Sequence, residues 1–112
     1  MEARERRRGK RYVYPYTVLI QGARPVSTYT ENISEGGIRV VIRDILETGA
    51  VVGLQIFIAE QPLVCEGRVV WRREKTSTVL ESTVVQDTGI EFVHLGRNER
   101  ARLAACLRER RE

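Results

Sequence analysis

One histidine, two cysteines and three prolines are all that 112 residues contain of these types, and each shortage closes off a class of function. Cys65 and Cys106 lie far apart in apolar surroundings. No second pair accompanies them, so no zinc site of recognised spacing exists and both are expected to be buried thiols. His94 stands alone, with no Ser or Asp placed suggestively around it. No pair of carboxylates is spaced for general acid–base work, and no glycine-rich phosphate loop of the nucleotide-hydrolase kind occurs. The chain is therefore expected to be no enzyme and to need no cofactor. No apolar run reaches membrane-spanning length, and no hydrophobic segment follows the charged start to complete a signal peptide. A soluble, cytoplasmic protein without membrane insertion is expected. Internal repeats are lacking too.

The length suits one domain with a single core that needs neither disulfide nor metal. A net charge of +4 conceals a sharp division: residues 1–11 carry six basic and two acidic groups, residues 97–112 six and three, and residues 12–96 seven and ten. All the positive excess lies at the two ends. An arginine-rich arm before a folded body suits a polyanionic partner, although a merely solvated tail has the same composition. Residues 1–11 have too few apolar side chains to order themselves, so they are expected to form a flexible arm that a ligand would fix. Residues 12–112 are the folded part.

Within that part most segments read as strands. Tyr12–Gln21 is rich in β-branched and aromatic residues, with Pro15 implying an edge or a bulge. Tyr12, Tyr14 and Tyr16 share one parity, which makes either a packing stripe or a base-stacking platform. Residues 21–25 read as a hairpin turn and Val26–Ile33 as the returning strand, which brings Arg11 and Asn32 to one end of the sheet. Ile38, Val40 and Ile42 alternate with Arg39, Val41 and Arg43, so Arg39 is expected to point away from the core. Val51–Ile58 has Val52, Leu54, Ile56 and Ile58 on one parity. Leu63–Arg72 places Leu63, Cys65, Gly67, Val69 and Trp71 together. Residues 76–86 fit either a hairpin or a long loop. Gly89–Leu95 closes the β portion, with Ile90 and Phe92 on one face. The period then changes: Asn98 suits an N-cap, Glu99 suits the positive helix start, and Leu103 with Leu107 forms an i, i+4 stripe. Short antiparallel strands followed by one amphipathic helix predict a small closed barrel, since closure removes exposed edges.

The segment most suited to a ligand is Asn32-Ile33-Ser34-Glu35-Gly36-Gly37. Asn and Ser hold hydrogen-bonding atoms close to the backbone, and Gly lets the main chain approach another molecule. The same composition also makes ordinary turns.

Two spacings then carry a resemblance. Arg7-Arg8-Gly9-Lys10-Arg11 fits R-x-x-x-R, and Asn32–Gly37 fits [D/N]-x-S-x-x-G at the expected distance. With the strand Gly67–Trp71 and the run Gly89–Val93 before a terminal helix, the chain resembles the PilZ domain family over nearly its whole length. The resemblance implies an all-β, six-stranded antiparallel barrel with a C-terminal helix, acting as a stand-alone receptor for the bacterial second messenger cyclic di-GMP. Arg7 and Arg11 would be the motif arginines, suited to clamp phosphate or pair with guanine O6 and N7. Asn32 and Ser34 would meet a guanine edge or phosphate, and Gly36 and Gly37 would bring the backbone close. Arg8 and Arg39 would help. Trp71 is a further candidate, although its parity with Leu63 and Val69 points it at the core. Asn replaces the more usual Asp at 32, which removes a charge from the site. With no second domain expected, the signal would pass to a partner protein when the ligand orders the arm. Two other readings remain: a basic barrel that binds single-stranded nucleic acid through the tyrosines and terminal arginines, and a ligand-blind interaction module.

Overall fold

Apolar side chains at alternate positions build six strands: β1 (Thr17–Gln21), β2 (Pro25–Ile33), β3 (Gly37–Ile42), β4 (Val51–Ile56), β5 (Leu63–Ser77) and β6 (Thr83–Val93). In the computed structural model, which describes residues 14–77 and 83–109, they close into an antiparallel barrel in the order β1-β2-β3-β6-β5-β4. Closure pairs β1 with β4 from Val18↔Ile56 to Gln21↔Gly53, so neither strand leaves an open edge there. The inward positions are filled by Val18, Ile20, Ile33, Ile38, Val40, Leu54, Ile56, Leu63, Val69 and Ile90, all fully or nearly fully buried. A core of branched aliphatics in alternating register fixes which face of each strand points inward.

The helix α1 (Arg97–Glu109) adds Leu103 and Leu107 to this core. Each such buried leucine contributes about 2 kcal/mol relative to exposure. Arg102 anchors the helix by donating to the carbonyls of Gln61 and Pro62 in the β4–β5 connection. The helix begins one residue before the expected cap, because Arg100 N–H bonds to the Gly96 carbonyl. Asn98 therefore lies inside the first turn, and the Glu99 carboxylate folds back against Gly96.

Other boundaries move for local reasons. The first strand begins at Thr17 rather than Tyr12. Tyr14 and Tyr16 are tied to β2 through Thr30, whose hydroxyl accepts from Tyr16 N–H and donates to the Tyr14 carbonyl. Tyr16 is buried and its hydroxyl lies 3.1 Å from Cys106 Sγ, while Tyr14 is 41% exposed with its ring tilted against that of Tyr16. The expected single tyrosine face is thus divided, and Tyr12 lies outside the described residues. β4 ends at Ile56, with Ile58 packed on the core from beyond the strand. Cys65 is buried as expected, whereas Cys106 is only half-buried. Residues 76–86 resolve toward the hairpin alternative: β5 and β6 pair out to Ser77↔Thr83, and residues 78–82 lie outside the described residues.

Candidate ligand-binding site

The polar hexapeptide turns between β2 and β3. β2 carries an irregularity at Glu31, after which Asn32 pairs with Arg39 and Ile33 with Ile38. Ser34 N–H then bonds to the Gly37 carbonyl at 2.9 Å, and the Ser34 hydroxyl accepts from Gly36 N–H at 3.1 Å. The Gly36 carbonyl accepts from Phe92 N–H of β6 at 2.8 Å. The turn is therefore stitched to the sheet before any ligand arrives, and Ser34 is buried within it.

Gly37 has a structural reason that differs from the expected one. A Cβ there would lie 2.2 Å from the Ile90 carbonyl oxygen and 2.9 Å from Glu91 Cα. The close approach that requires glycine is to the β6 backbone.

Trp71 also departs from expectation. The β5–β6 register shifts between Val69 and Trp71, and the extra residue, Val70, reverses the parity that runs through Leu63, Cys65, Gly67 and Val69. Trp71 therefore faces outward and is 38% exposed. It pairs with Gly89, whose missing side chain makes room for the indole: a Cβ at 89 would lie 2.2 Å from Trp71 Nε1. Arg39 pairs with Gly89 from the other side. Arg39, Gly89 and Trp71 thus form one cross-strand row on the outer wall, and the Arg73 guanidinium lies 5.6 Å from the Trp71 ring centroid.

Beside this row the outward-facing Asp87 of β6 is covered by cations. Its side chain is 2% exposed, and Arg39 binds it with both arms of its fork, at 2.7 and 3.0 Å. Arg73 and Lys75 each approach to 3.7 Å. Burial pushes the Asp87 carboxyl upward, but the hydrogen bonds and charge of Arg39, with Lys75 and Arg73 behind them, hold it below its ordinary value. The same hydrogen bonds raise Arg39. Arg39 points out of the core as expected, yet its fork is already engaged.

These elements border an open depression of about 660 Å³. Asn32, Ser34, Gly36, Gly37, Arg39 and Trp71 all line it, so the structure brings together every expected site residue that it describes. Arg7, Arg8 and Arg11 lie outside the described residues. Arg73 and Gly89 line the depression as well, and neither was expected from the sequence. A polar turn, an exposed indole face and a cationic wall together suit a planar anionic ligand. Among the described residues no group of His, Cys, Asp and Glu could hold a metal ion, and no helix is long and apolar enough to cross a membrane.

Fold and depression define the class: a helix-capped β-barrel with a polar depression on its outer wall. A family model described as the PilZ domain matches residues 5–109, so the chain belongs to the PilZ domain family. The matched span includes both sequence motifs. Among solved structures the chain is similar to the inhibitor of motility MotI/DgrA of Bacillus subtilis, with 26% identity and a TM-score of 0.73 over 93% of this chain and 50% of that one. It is also similar to K. pneumonia MrkH in its apo state, with 14% identity and a TM-score of 0.76 over 93% of this chain and 50% of that chain. The PilZ domain of YcgR from Escherichia coli, solved with c-di-GMP, matches at 15% identity with a TM-score of 0.70 over 93% of both chains. The chain thus spans about half the length of the motility inhibitor and MrkH proteins. A comparison with curated proteins gives no significant match.

Proposed function

We propose that this chain binds cyclic di-GMP in the depression between the β2–β3 turn and the β5–β6 wall. The observation that carries this reading is the convergence of Asn32, Ser34, Gly36, Gly37 and Trp71 on one surface, in a chain whose family match also includes Arg7 and Arg11. The ligand of the YcgR domain is in keeping with it.

The chemistry assigns the roles. Arg7 and Arg11 clamp phosphate or the guanine Hoogsteen edge with planar forks, and Arg8 adds charge. Asn32 offers an amide that both donates and accepts toward a guanine edge. Ser34 and Gly36 hold the turn in shape, and the Trp71 indole offers a face on which a guanine stacks. Arg39, held by the Asp87 carboxylate, keeps the cross-strand row beside Trp71 in place. Binding fixes residues 1–11 across the depression, and the surface so formed is read by a partner protein, with no change required in the barrel core. The protein acts as a receptor and catalyses nothing in this scheme. The alternative of single-stranded nucleic acid on a tyrosine platform has less support, because Tyr16 is buried while Tyr14 stays exposed.

Calorimetric titration of the full chain with cyclic di-GMP and with a single-stranded oligonucleotide tests the reading. Saturable heat with the dinucleotide alone is expected, reduced at least about tenfold in affinity by Arg11→Ala, which removes a charge-assisted bidentate contact. Equal affinity for both ligands, or no heat with cyclic di-GMP, contradicts it.

A further inference from the structure

Three cations of the outer wall gather on the Asp87 carboxylate, and the geometry divides their labour. Arg39 uses Nε and Nη2 to occupy both Asp87 oxygens. Arg73 and Lys75 stand at 3.7 Å, too far for a hydrogen bond, so they feel the carboxylate only as a charge. Asp87 offsets one of the three and Glu31 acts on Arg39 by charge alone, which leaves the rim beside Trp71, where Arg73 and Lys75 stand, net positive. Glu91 also lines the depression, but it pairs with Arg68 of β5 at 3.8 Å. Arg73 is 71% exposed on its side chain and borders the depression. Its guanidinium lies over the indole ring, which orients the fork without using its N–H groups.

We propose that Arg73, with Lys75 in support, is a ligand-contacting cation of this site, and that Arg39 is a positioning residue locked to Asp87 rather than a ligand contact. This assignment rests on the cyclic di-GMP reading. An anionic phosphate or a guanine O6/N7 edge seated on Trp71 meets the Arg73 fork from the rim. Asp87 holds Arg39 in its row and draws Arg73 and Lys75 toward the rim, yet both of its oxygens already accept a hydrogen bond from Arg39. The wall thus keeps a net positive charge that does not depend on the arginines at 7, 8 and 11.

Trp71 is the single tryptophan of the chain, so its fluorescence reports directly on the depression. Cyclic di-GMP is titrated at several salt concentrations into the wild type, Arg73→Gln, Arg73→Lys, Arg39→Gln and Arg24→Gln, with melting curves for each. Arg24 pairs with Asp44 and does not line the depression, so it controls for loss of one positive charge. Arg73→Gln is expected to lose about tenfold in affinity with a shallower salt dependence and an unchanged melting temperature. Arg73→Lys recovers part of the loss, and Arg24→Gln binds like the wild type. Arg39→Gln is expected to melt earlier yet bind within about threefold of the wild type at temperatures where it is folded, which a ligand contact would not permit. Wild-type affinity in Arg73→Gln overturns the assignment while leaving the ligand in place, as does a tenfold loss in a thermally unaltered Arg39→Gln. Failure of the wild type itself to bind overturns the ligand reading and this assignment with it.

Discussion

The two walls of the barrel are built to different rules. Where β1 meets β4 and the first turns of β2, pairing runs without interruption, and aliphatic side chains alternate strictly between core and solvent. The wall of β3, β6 and β5 is broken by irregularities at Glu31, where β2 joins it, and at Val70 within it, and carries buried polar side chains at Gln86, Asp87 and Thr88. It also holds three glycines, Gly37, Gly67 and Gly89, that a Cβ would force apart from their neighbours. A barrel that had only to be stable would resemble the first wall throughout. Departures from local regularity gather where a surface has to meet something else.

The strongest way to break this comparison is Gly37→Val. With backbone atoms of Ile90 and Glu91 in the way, the variant is expected to lose about 3 kcal/mol or more of stability in a denaturant titration. A folded, stable variant would mean that the glycine serves the ligand alone.

Asp87→Ala comes next, expected to cost about 3 kcal/mol because it leaves Arg39 half-buried and unpaired. Its effect should depend on pH in a set direction. The folded-state pKa of Asp87 is depressed, so its contribution is full above the ordinary carboxylate range near about pH 4 and is lost as pH falls through the folded value. The stability gap between wild type and Asp87→Asn should therefore narrow on acidification below about pH 4. A gap that widens there would contradict the ion-pair account.

On the regular wall, Ile20→Val should cost only about 1 kcal/mol by loss of one buried methylene, with ligand affinity unchanged. Trp71→Ala should sharpen the contrast in the opposite sense: about 1 kcal/mol or less in stability, but at least about a fivefold loss in affinity from a missing stacking surface. The smallest effect belongs to Cys65, whose thiol is pushed up to about 11 by burial, with nearby Glu99 and Glu66 adding to it. It should resist alkylation at pH 8 in the native protein and react only on unfolding.

What could be read from the sequence follows the same division. Alternation placed Ile38, Val40, Ile42, Leu63, Cys65 and Val69 on inward faces, and helical spacing placed Leu103 and Leu107 against the barrel, because those positions obey local periodicity. Trp71 escaped this logic. Nothing in Val-Val-Trp marks a bulge, which arises only when β5 must pair with β6 on both sides of Val70. Asp87 is hidden for a related reason: its burial depends on Arg39, 48 residues away in the chain. Gly37 was legible as a position needing glycine, but the partner that demands it, the Ile90 carbonyl, belongs to a strand more than fifty residues later. The turn residues Asn32 and Ser34 were legible as a group because their spacing is local.

Hydrogen exchange with and without cyclic di-GMP tests the central claim most directly, since it reads both walls and the arginine motif in one experiment. The account predicts that amides of residues 5–12, 32–37 and 70–73 gain protection on saturation, while those of residues 17–20 and 52–56 on the regular wall are unchanged. Protection confined to the regular wall, or no change at 32–37 and 70–73 under saturating ligand, would contradict it.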